Sequence, residues 1–378
     1  MVEKQHNPPD KASLRILHVV SGDLWAGAEV QVWQLLRAAQ RVEGVEIHAV
    51  VLNPGLLAER LGADGVEVTL LDESKASFPK LASELRRLAR RWRPDVIHTH
   101  RRKEHLLGVL AAKGCGAKLV GTVHGRHEFS SARPGLRQRM LRRLEKVVLA
   151  RIHDRLIAVS DDMADELPGG PGHAVIIPNS INVEAARSAA TTAEIKLNPA
   201  NCIPIGFLGR LVPVKQVDRM LAMMALLEAE QPGRFTLHIV GDGPLRQKLE
   251  TQAGELRLNG TMVFHGFQPD PQALLAGLQV LLFASAHEGL PMTALEALSL
   301  GVPLVSPPIA SLSRLISESG AGKIAASSSP RDLANAVLAL GLEPGRTQGA
   351  RPSLLPERYH IEQGVKATVR LWKNVSGK

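Results

Sequence analysis

The chain has 378 residues, 44% hydrophobic and 22% charged, with 46 Lys+Arg against 37 Asp+Glu and a formal charge of +9. That length and balance suit two globular domains, and the lack of any run of about 18 apolar residues excludes an apolar membrane-crossing helix. Cys115 and Cys202 lie far apart in apolar surroundings, which excludes a disulfide framework and a cysteine zinc site and fits a reducing compartment.

The chain offers four Trp, one Tyr and seven Phe as stacking platforms and carries no nucleic-acid-binding signature. No nucleic acid is therefore expected as a partner. The positive charge points instead to an anionic lipid surface, an acidic glycan or a sugar nucleotide.

Residues 1–13 are polar, lack the apolar segment of a secretory signal and read as a disordered arm, so a cytoplasmic chain is expected. A strand follows at Leu14–Val20, a loop to Gly27 and a helix over Ala28–Gln40. Val45–Leu52 reads as a strand, Asn53-Pro54-Gly55 as a turn, Leu56–Leu61 as a short helix and Val66–Leu71 as a strand. Phe78–Arg93 is a basic helix with Leu81, Leu85 and Leu88 on one face. Asp95–His98 and Lys118–Thr122 are strands flanking a helix at His105–Lys113. A long Arg-rich helix covers Pro134–Ile152, and a strand at Arg155–Val159, a helix start at Asp161–Glu166 and a strand at Val175–Ile177 complete the first half.

Residues 183–201 are small, polar and without clear period, and read as an interdomain linker. The alternation then resumes. Strands are predicted at Pro204–Leu208, Phe235–Val240, Met262–His265 and Val280–Ala284, with helices at Gln216–Glu230, Pro244–Ala253 and Pro271–Gly277. A helix entered through Pro291 and stopped by Gly301 leads to a strand at Val302–Val305. Residues 341–356 read as an irregular crossing and His360–Val375 as a final helix. Repeated β–α alternation implies the α/β class, with mostly parallel sheets covered on both faces. Two doubly wound, Rossmann-like domains are expected, over residues 14–184 and 185–358, with a cleft between them. Ligands of such sheets bind beyond the carboxyl ends of the strands.

Several polar strings fall at those ends. Gly209-Arg210-Leu211-Val212-Pro213-Val214-Lys215 places two cations after a strand, where they can hold a diphosphate and stabilise its charge on departure. Gly241 and Gly243, in Val240-Gly241-Asp242-Gly243-Pro244, permit close backbone approach. His265 closes another strand. In the first half, Gly27 lies at the first strand-to-helix turn, with Glu29 placed to favour the helix N-terminus. His98 and His100 end one strand, His124 with Gly125 ends the next, and Ser160 and Asn179 follow later ones.

The most informative string is His287-Glu288-Gly289-Leu290-Pro291-Met292, running into a helix that contains Glu296. Pro291 suits a first helical turn, where its missing N–H costs nothing. The N–H groups of Gly289, Leu290 and Met292, with the helix dipole, make an anion site. Taken as helical throughout, Glu288 and Glu296 would lie roughly 80° apart around the axis.

This string resembles the E-x7-E signature of retaining glycosyltransferases of the family 4, lipopolysaccharide- and exopolysaccharide-type group. The G-R-L-x-x-x-K, G-x-G-P, V-F-H-G-F, T-x-H-G and P-N-x-x-x elements match the same family in the same order, from about residue 16 to residue 318. Gln216 stands where the family usually has Gly after the Lys, Ala26 replaces the first of two glycines, and Ser180 and Asn182 replace Gly and Asp.

The resemblance implies a GT-B fold with two Rossmann-like domains facing a central cleft and a C-terminal helix, 359–378, returning to the N-terminal domain. It implies transfer of a sugar, with retention, from a UDP- or GDP-type donor to a glycan or lipid-linked acceptor in cell-envelope polysaccharide or lipopolysaccharide synthesis. Arg210 and Lys215 would hold the diphosphate, aided by Gly289, Leu290, Pro291 and Met292, with no metal expected. Glu288 would hold sugar hydroxyls and Glu296 the ribose. Gly27, Gly209, Gly241, Gly243 and His265 would approach the donor, His124 the reacting carbon, and His98, His100, Ser160 and Asn179 would line the cleft or acceptor side. A catalytically inactive homologue acting as a partner subunit and a sugar-nucleotide epimerase of the same architecture remain open. The basic amphipathic stretch Arg133–Arg155 fits either a solvated helix face or docking on an anionic membrane surface.

Overall fold

The computed structural model describes residues 13–125, 136–169, 172–191, 197, 202–345 and 351–378. The chain forms two compact units. One comprises Met1–Ala158, Glu166–Ile177 and Val365–Lys378, the other Val159–Asp165 and Pro178–Gly364. The expected arm at 1–13 lies almost wholly outside the described residues, as does Arg133.

The first unit carries a parallel sheet of seven strands, β1 (Leu14–Val20), β2 (Val45–Val51), β3 (Glu67–Leu70), β4 (Val96–Thr99), β5 (Lys118–Val123), β6 (Arg155–Ala158) and β7 (Ala174–Ile176), in the order β3-β2-β1-β4-β5-β6-β7. Helices α1 (Gly27–Ala39), α2 (Leu56–Ala63), α3 (Phe78–Trp92), α4 (Arg102–Ala112) and α5 (Leu136–Arg151) connect them. Every residue of β1 is buried, as a central strand covered on both faces requires. Apolar side chains of β1, β2, β4, α3 and α4, including Leu17, Ile97, Leu85, Trp92 and Leu107, form one core.

After α6 (Asp161–Glu166) and α7 (Val183–Thr191), the second unit builds a parallel sheet from β8 (Ile203–Leu208), β9 (Phe235–Val240), β10 (Met262–Gly266), β11 (Val280–Leu282), β12 (Leu304–Ser306) and β13 (Gly322–Ile324), in the order β10-β9-β8-β11-β12-β13. Its helices are α8 (Val217–Glu230), α9 (Arg246–Glu255), α10 (Gln272–Gly277), α11 (Met292–Ser299), α12 (Ala310–Ser319) and α13 (Pro330–Leu338), and α14 (Ile361–Ser376) closes the chain. A core of β8, β9, α8 and α13 side chains, among them Phe207, Phe235, Met220 and Val337, lies under this sheet.

Both sheets reverse their strand order once, at β1/β4 and at β8/β11. Loops leaving the two strands on either side of such a point splay to opposite faces and open a crevice. The polar strings after β1, β4, β8 and β11 are those loops.

Three expectations need correction. Residues Val183–Thr191 of the expected linker are helical; their Ala content sustains a helix that a reading for period overlooks. Pro291 is the N-cap of α11, with extended ψ of 130°, and not a residue of its first turn. Glu288 therefore lies in the loop ahead of the helix, and a helical angle between it and Glu296 has no meaning. Helix α11 does end at Gly301, whose φ of +74° stops it.

Candidate active site

In the second unit, the loops after β8 and β11 meet. The Ala286 N–H donates to the Val214 carbonyl at 2.9 Å. That contact brings Lys215, on a 3-10 turn at Pro213–Lys215, to Glu288, and Lys215 Nζ lies 2.6 Å from Glu288 Oε1. Ser285 Oγ donates to the same oxygen at 2.6 Å. The Glu288 side chain is 10% exposed and that of Lys215 22%, so the pair is partly desolvated, unlike a solvated surface bridge. Both contacts fall on Oε1, and Glu288 Oε2 has no hydrogen-bond partner among the described residues. Arg210 is exposed and ion-pairs with no described residue. One cation is held by a carboxylate and the other is not.

Beside them, the N–H groups of Gly289, Leu290 and Met292 donate to no described residue. Donors of this kind at the start of a helix are the chemistry that holds an anion. The loop is held from behind by Asn179, which is buried and donates through Nδ2 to the Leu290 carbonyl at 2.6 Å. Asn179 therefore buttresses the Glu288–Pro291 loop. Glu296 lies in the body of α11, 5% exposed. Burial alone raises its carboxyl pKa to about 7, so near neutral pH it can donate as well as accept.

Gly209, Gly241 and Gly243 hold the adjacent loop closed. Gly209 N–H donates to Val240 O at 3.0 Å and Leu211 N–H to Asp242 O at 2.9 Å. Gly241 has φ +134°, and a Cβ there would overlap the Gly209 carbonyl. His265 pairs with His238 (Nε2 to Nδ1, 3.0 Å), and His238 in turn with Thr236 Oγ1 at 3.2 Å. That chain accounts for the placement of His265.

In the first unit, Gly27 opens α1, and Glu29 is fully buried against Arg101, Oε1 to Nη2 2.5 Å, with Asp23 on Nη1 at 2.8 Å. Burial, opposed by Arg101, raises the Glu29 pKa. Glu29 is therefore more than a dipole partner for its helix. It anchors the loop after β4 to the one after β1. Glu104, one turn into α4, accepts the N–H groups of His100 and Arg101 at 3.0 and 2.9 Å, and burial raises its pKa to about 8.

The histidines form a cluster. His18 and His98 are register partners on β1 and β4, with ring centroids 4.5 Å apart. His100 stacks on His98 at 4.7 Å and on His124 at 5.4 Å. His98 is fully buried. Its Nδ1 accepts from the Trp372 indole of α14 at 3.3 Å and its Nε2 reaches Thr122 Oγ1 at 2.7 Å. Both its nitrogens are engaged, so the expectation that His98 lines an open cleft is corrected: it is a packed core residue. His100 is 2% exposed, and its Nδ1 lies 3.1 Å from Nε2 of His124, a partly exposed residue just after β5. Ser160 is buried after β6, with an Oγ that has no partner among the described residues.

His18, Arg101, Glu104 and Trp372 went unnoticed in the sequence. A histidine inside the apolar string L-R-I-L-H-V-V was the available signal, because a polar ring there must find a partner across the sheet.

The family profile of Glycosyl transferases group 1 matches residues 192–348, and that of Glycosyltransferase Family 4 matches residues 25–185. The chain belongs to the group 1/family 4 glycosyltransferases. This glycosyltransferase is 29% identical over 319 residues to the 2-deoxystreptamine N-acetyl-D-glucosaminyltransferase of Streptomyces fradiae, covering 75% of this chain and 74% of that one. It is 26% identical to the UDP-Gal:alpha-D-GlcNAc-diphosphoundecaprenol alpha-1,3-galactosyltransferase of Escherichia coli, covering 74% and 78%. Its fold matches the crystal structure of Anabaena HepE in complex with UDP and glucose, with a TM-score of 0.79 at 18% identity over 96% of this chain and all of that one. The GT-B architecture is thereby established.

Proposed function

We propose that this glycosyltransferase moves a sugar, with retention of configuration, from a nucleotide diphosphate sugar to a glycan or lipid-linked acceptor. The observation that carries the reading is the Lys215–Glu288 pair beside the free N–H groups that open α11. A held cation, an available Arg210 and a helix N-terminus suit a diphosphate, and a carboxylate fixed next to them suits a sugar hydroxyl. UDP is the favoured nucleotide, because the Escherichia coli relative is described as using UDP-Gal and HepE as binding UDP.

In the proposed reaction the bond from the sugar C1 to the diphosphate breaks while the acceptor oxygen bonds to C1 on the same face, and the acceptor's proton passes to the leaving phosphate oxygen. Glu288, fixed by Lys215 and Ser285, is a poor candidate for a covalent nucleophile of the glycosidase kind. Arg210 and Lys215 neutralise the departing diphosphate, a role for which no metal is invoked. Glu296 binds the ribose.

The test is steady-state kinetics with UDP-sugars, together with the anomeric configuration of the product. Glu288→Ala, Lys215→Ala and Arg210→Ala should each lose about a hundredfold or more in kcat/KM. Near wild-type turnover in all three, or an inverted product, overturns the mechanism.

A lipid-linked acceptor in cell-envelope synthesis fits the surface of α5. There Met140 and Val147 are exposed, at 70% and 54%, beside exposed Arg143, Lys146 and Arg151. Among the described residues no helix is long and apolar enough to cross a membrane. The proposal is a cytoplasmic protein that docks peripherally on acidic lipid. Liposome flotation that shows no dependence on acidic lipid would end that part of it.

A further inference from the structure

The second unit takes up the long stretch Pro178–Gly364, and the two ends of that stretch are fastened to each other. Ile181 N–H donates to the Tyr359 carbonyl at 3.0 Å, and Ile361 N–H donates to the Ile181 carbonyl at 2.9 Å. Ile181 and His360 form a parallel bridge. Ile181, Tyr359 and Ile361 are all buried. A Cβ on Gly364 would overlap Ser180 Oγ, so the two segments pack without a gap. Residues 178–182 and 357–361 thus make one clasp.

The clasp reaches the loop that carries Glu288 by two routes. The first is direct: Asn179, two residues before Ile181, donates to the Leu290 carbonyl. The second passes along α12. The Tyr359 hydroxyl donates to Glu318 Oε2 at 2.7 Å, and Arg314 and Arg358 each reach Glu318 Oε1 at 2.9 Å. Arg314 also ion-pairs with Asp161. Ser311 lies about two turns back along α12, roughly 10 Å from Glu318 along the axis, and its Oγ donates to the Glu288 carbonyl at 3.4 Å.

The two routes join at Tyr359, whose carbonyl serves one and whose hydroxyl serves the other. They end on neighbouring residues of the same loop, so they close a ring. Displacing that loop strains contacts on both sides of the ring at once. The phenol–carboxylate bond has an ionised acceptor and belongs to the stronger class of hydrogen bonds.

We infer that Tyr359 and Glu318 are positioning residues for the Glu288–Pro291 loop, and that an anion held by the N–H groups of this loop and the clasp stabilise each other. The effect is reciprocal because both bias the same loop. The inference rests on the glycosyl-transfer reading only for the identity of the anion, a nucleoside diphosphate.

The test uses the full chain. Tyr359→Phe keeps the buried ring and removes one hydroxyl. In the free protein it should speed backbone amide exchange about tenfold at Ala286 and Ala294, whose N–H groups are bonded to the Val214 and Pro291 carbonyls. Glu318→Gln, which keeps an acceptor for the hydroxyl, should have a smaller effect there than Glu318→Ala. Faster exchange confined to Ile181 and Ile361, with Ala286 and Ala294 unchanged, would make the clasp a local fastening and overturn the inference. The chain has a single tyrosine, so ring-¹³C labelling gives one signal that reports on the clasp. Saturating UDP should shift that signal in the wild type, and in calorimetry it should bind Tyr359→Phe about tenfold more weakly. UDP binding that leaves the signal in place also overturns the inference, and this wild-type measurement decides the matter if Tyr359→Phe does not fold. Should UDP not bind the wild type, the donor reading fails, and exchange in the free protein still decides the clasp.

Discussion

At the residue scale, Glu296 shows how one acid serves stability and binding in opposite senses. Its pKa of about 7 in the folded chain lies above the ordinary 4.5. Between those values the folded state keeps a proton that the unfolded chain has lost, so stability falls as pH rises through the window and is level above it. The gap corresponds to a penalty on the order of 3 kcal/mol at alkaline pH. Glu296→Gln should remove that slope and raise Tm above pH 7, while weakening UDP binding in calorimetry. A variant no more stable than wild type at alkaline pH would show that Glu296 is not buried as an acid. Gln216 is a second residue of this kind: its φ of +49° lies in the left-handed region where glycine is at ease, which gives a physical reason for the family's glycine after Lys215.

At the element scale, the site depends on how closely two strand-to-helix turns approach. The turn after β9 passes directly over the carbonyl of Gly209, and Gly241 has neither the room nor the φ for a side chain. Gly241→Ala should cost several kcal/mol and displace Arg210 and Lys215 together. In chemical denaturation the midpoint should fall, and residual folded enzyme should show a raised donor KM. A midpoint unchanged from wild type would mean that the loop relaxes freely. The histidine cluster is an element-scale feature too. Parallel register sets His18 beside His98, and the pleat puts His98 and His100 on one face with Trp372, while Thr99 points to the other, bonded to His105 at 2.7 Å.

At the scale of the whole molecule, both units bury histidines, His238 among them in the second. The first buries His18, His98, His100, His105 and His153, all held below the ordinary 6.5 by burial, His153 at about 4. Below pH 6.5 the unfolded chain takes up protons that the folded unit refuses. Stability is therefore present at neutral pH and falls as pH drops toward the folded values. Each histidine contributes up to about 1.4 kcal/mol per pH unit. Thermal unfolding should show a Tm that drops steeply below pH 6.5, with loss of Trp372 burial reported by fluorescence. A Tm flat across that range would mean that the rings are hydrated or charged in the native state.

The fold class, the alternation of strands and helices and the fall of polar strings after β8 and β11 were legible in the sequence. Periodicity and turn residues act locally, and Arg210, Lys215, Glu288 and Glu296 stand in strings whose composition carries their meaning. Local pattern could not pair the loops, because the meeting of Lys215 with Glu288 follows from strand order in the sheet. Nor could it separate a cleft histidine from a core one. His98 and His100 look alike in the string Asp95–His100, and only the register with β1 and the arrival of Trp372 from the far end of the chain buries one in the core and links the other to His124. Contacts between residues distant in sequence decide burial, burial decides protonation, and protonation decides what each polar group can do.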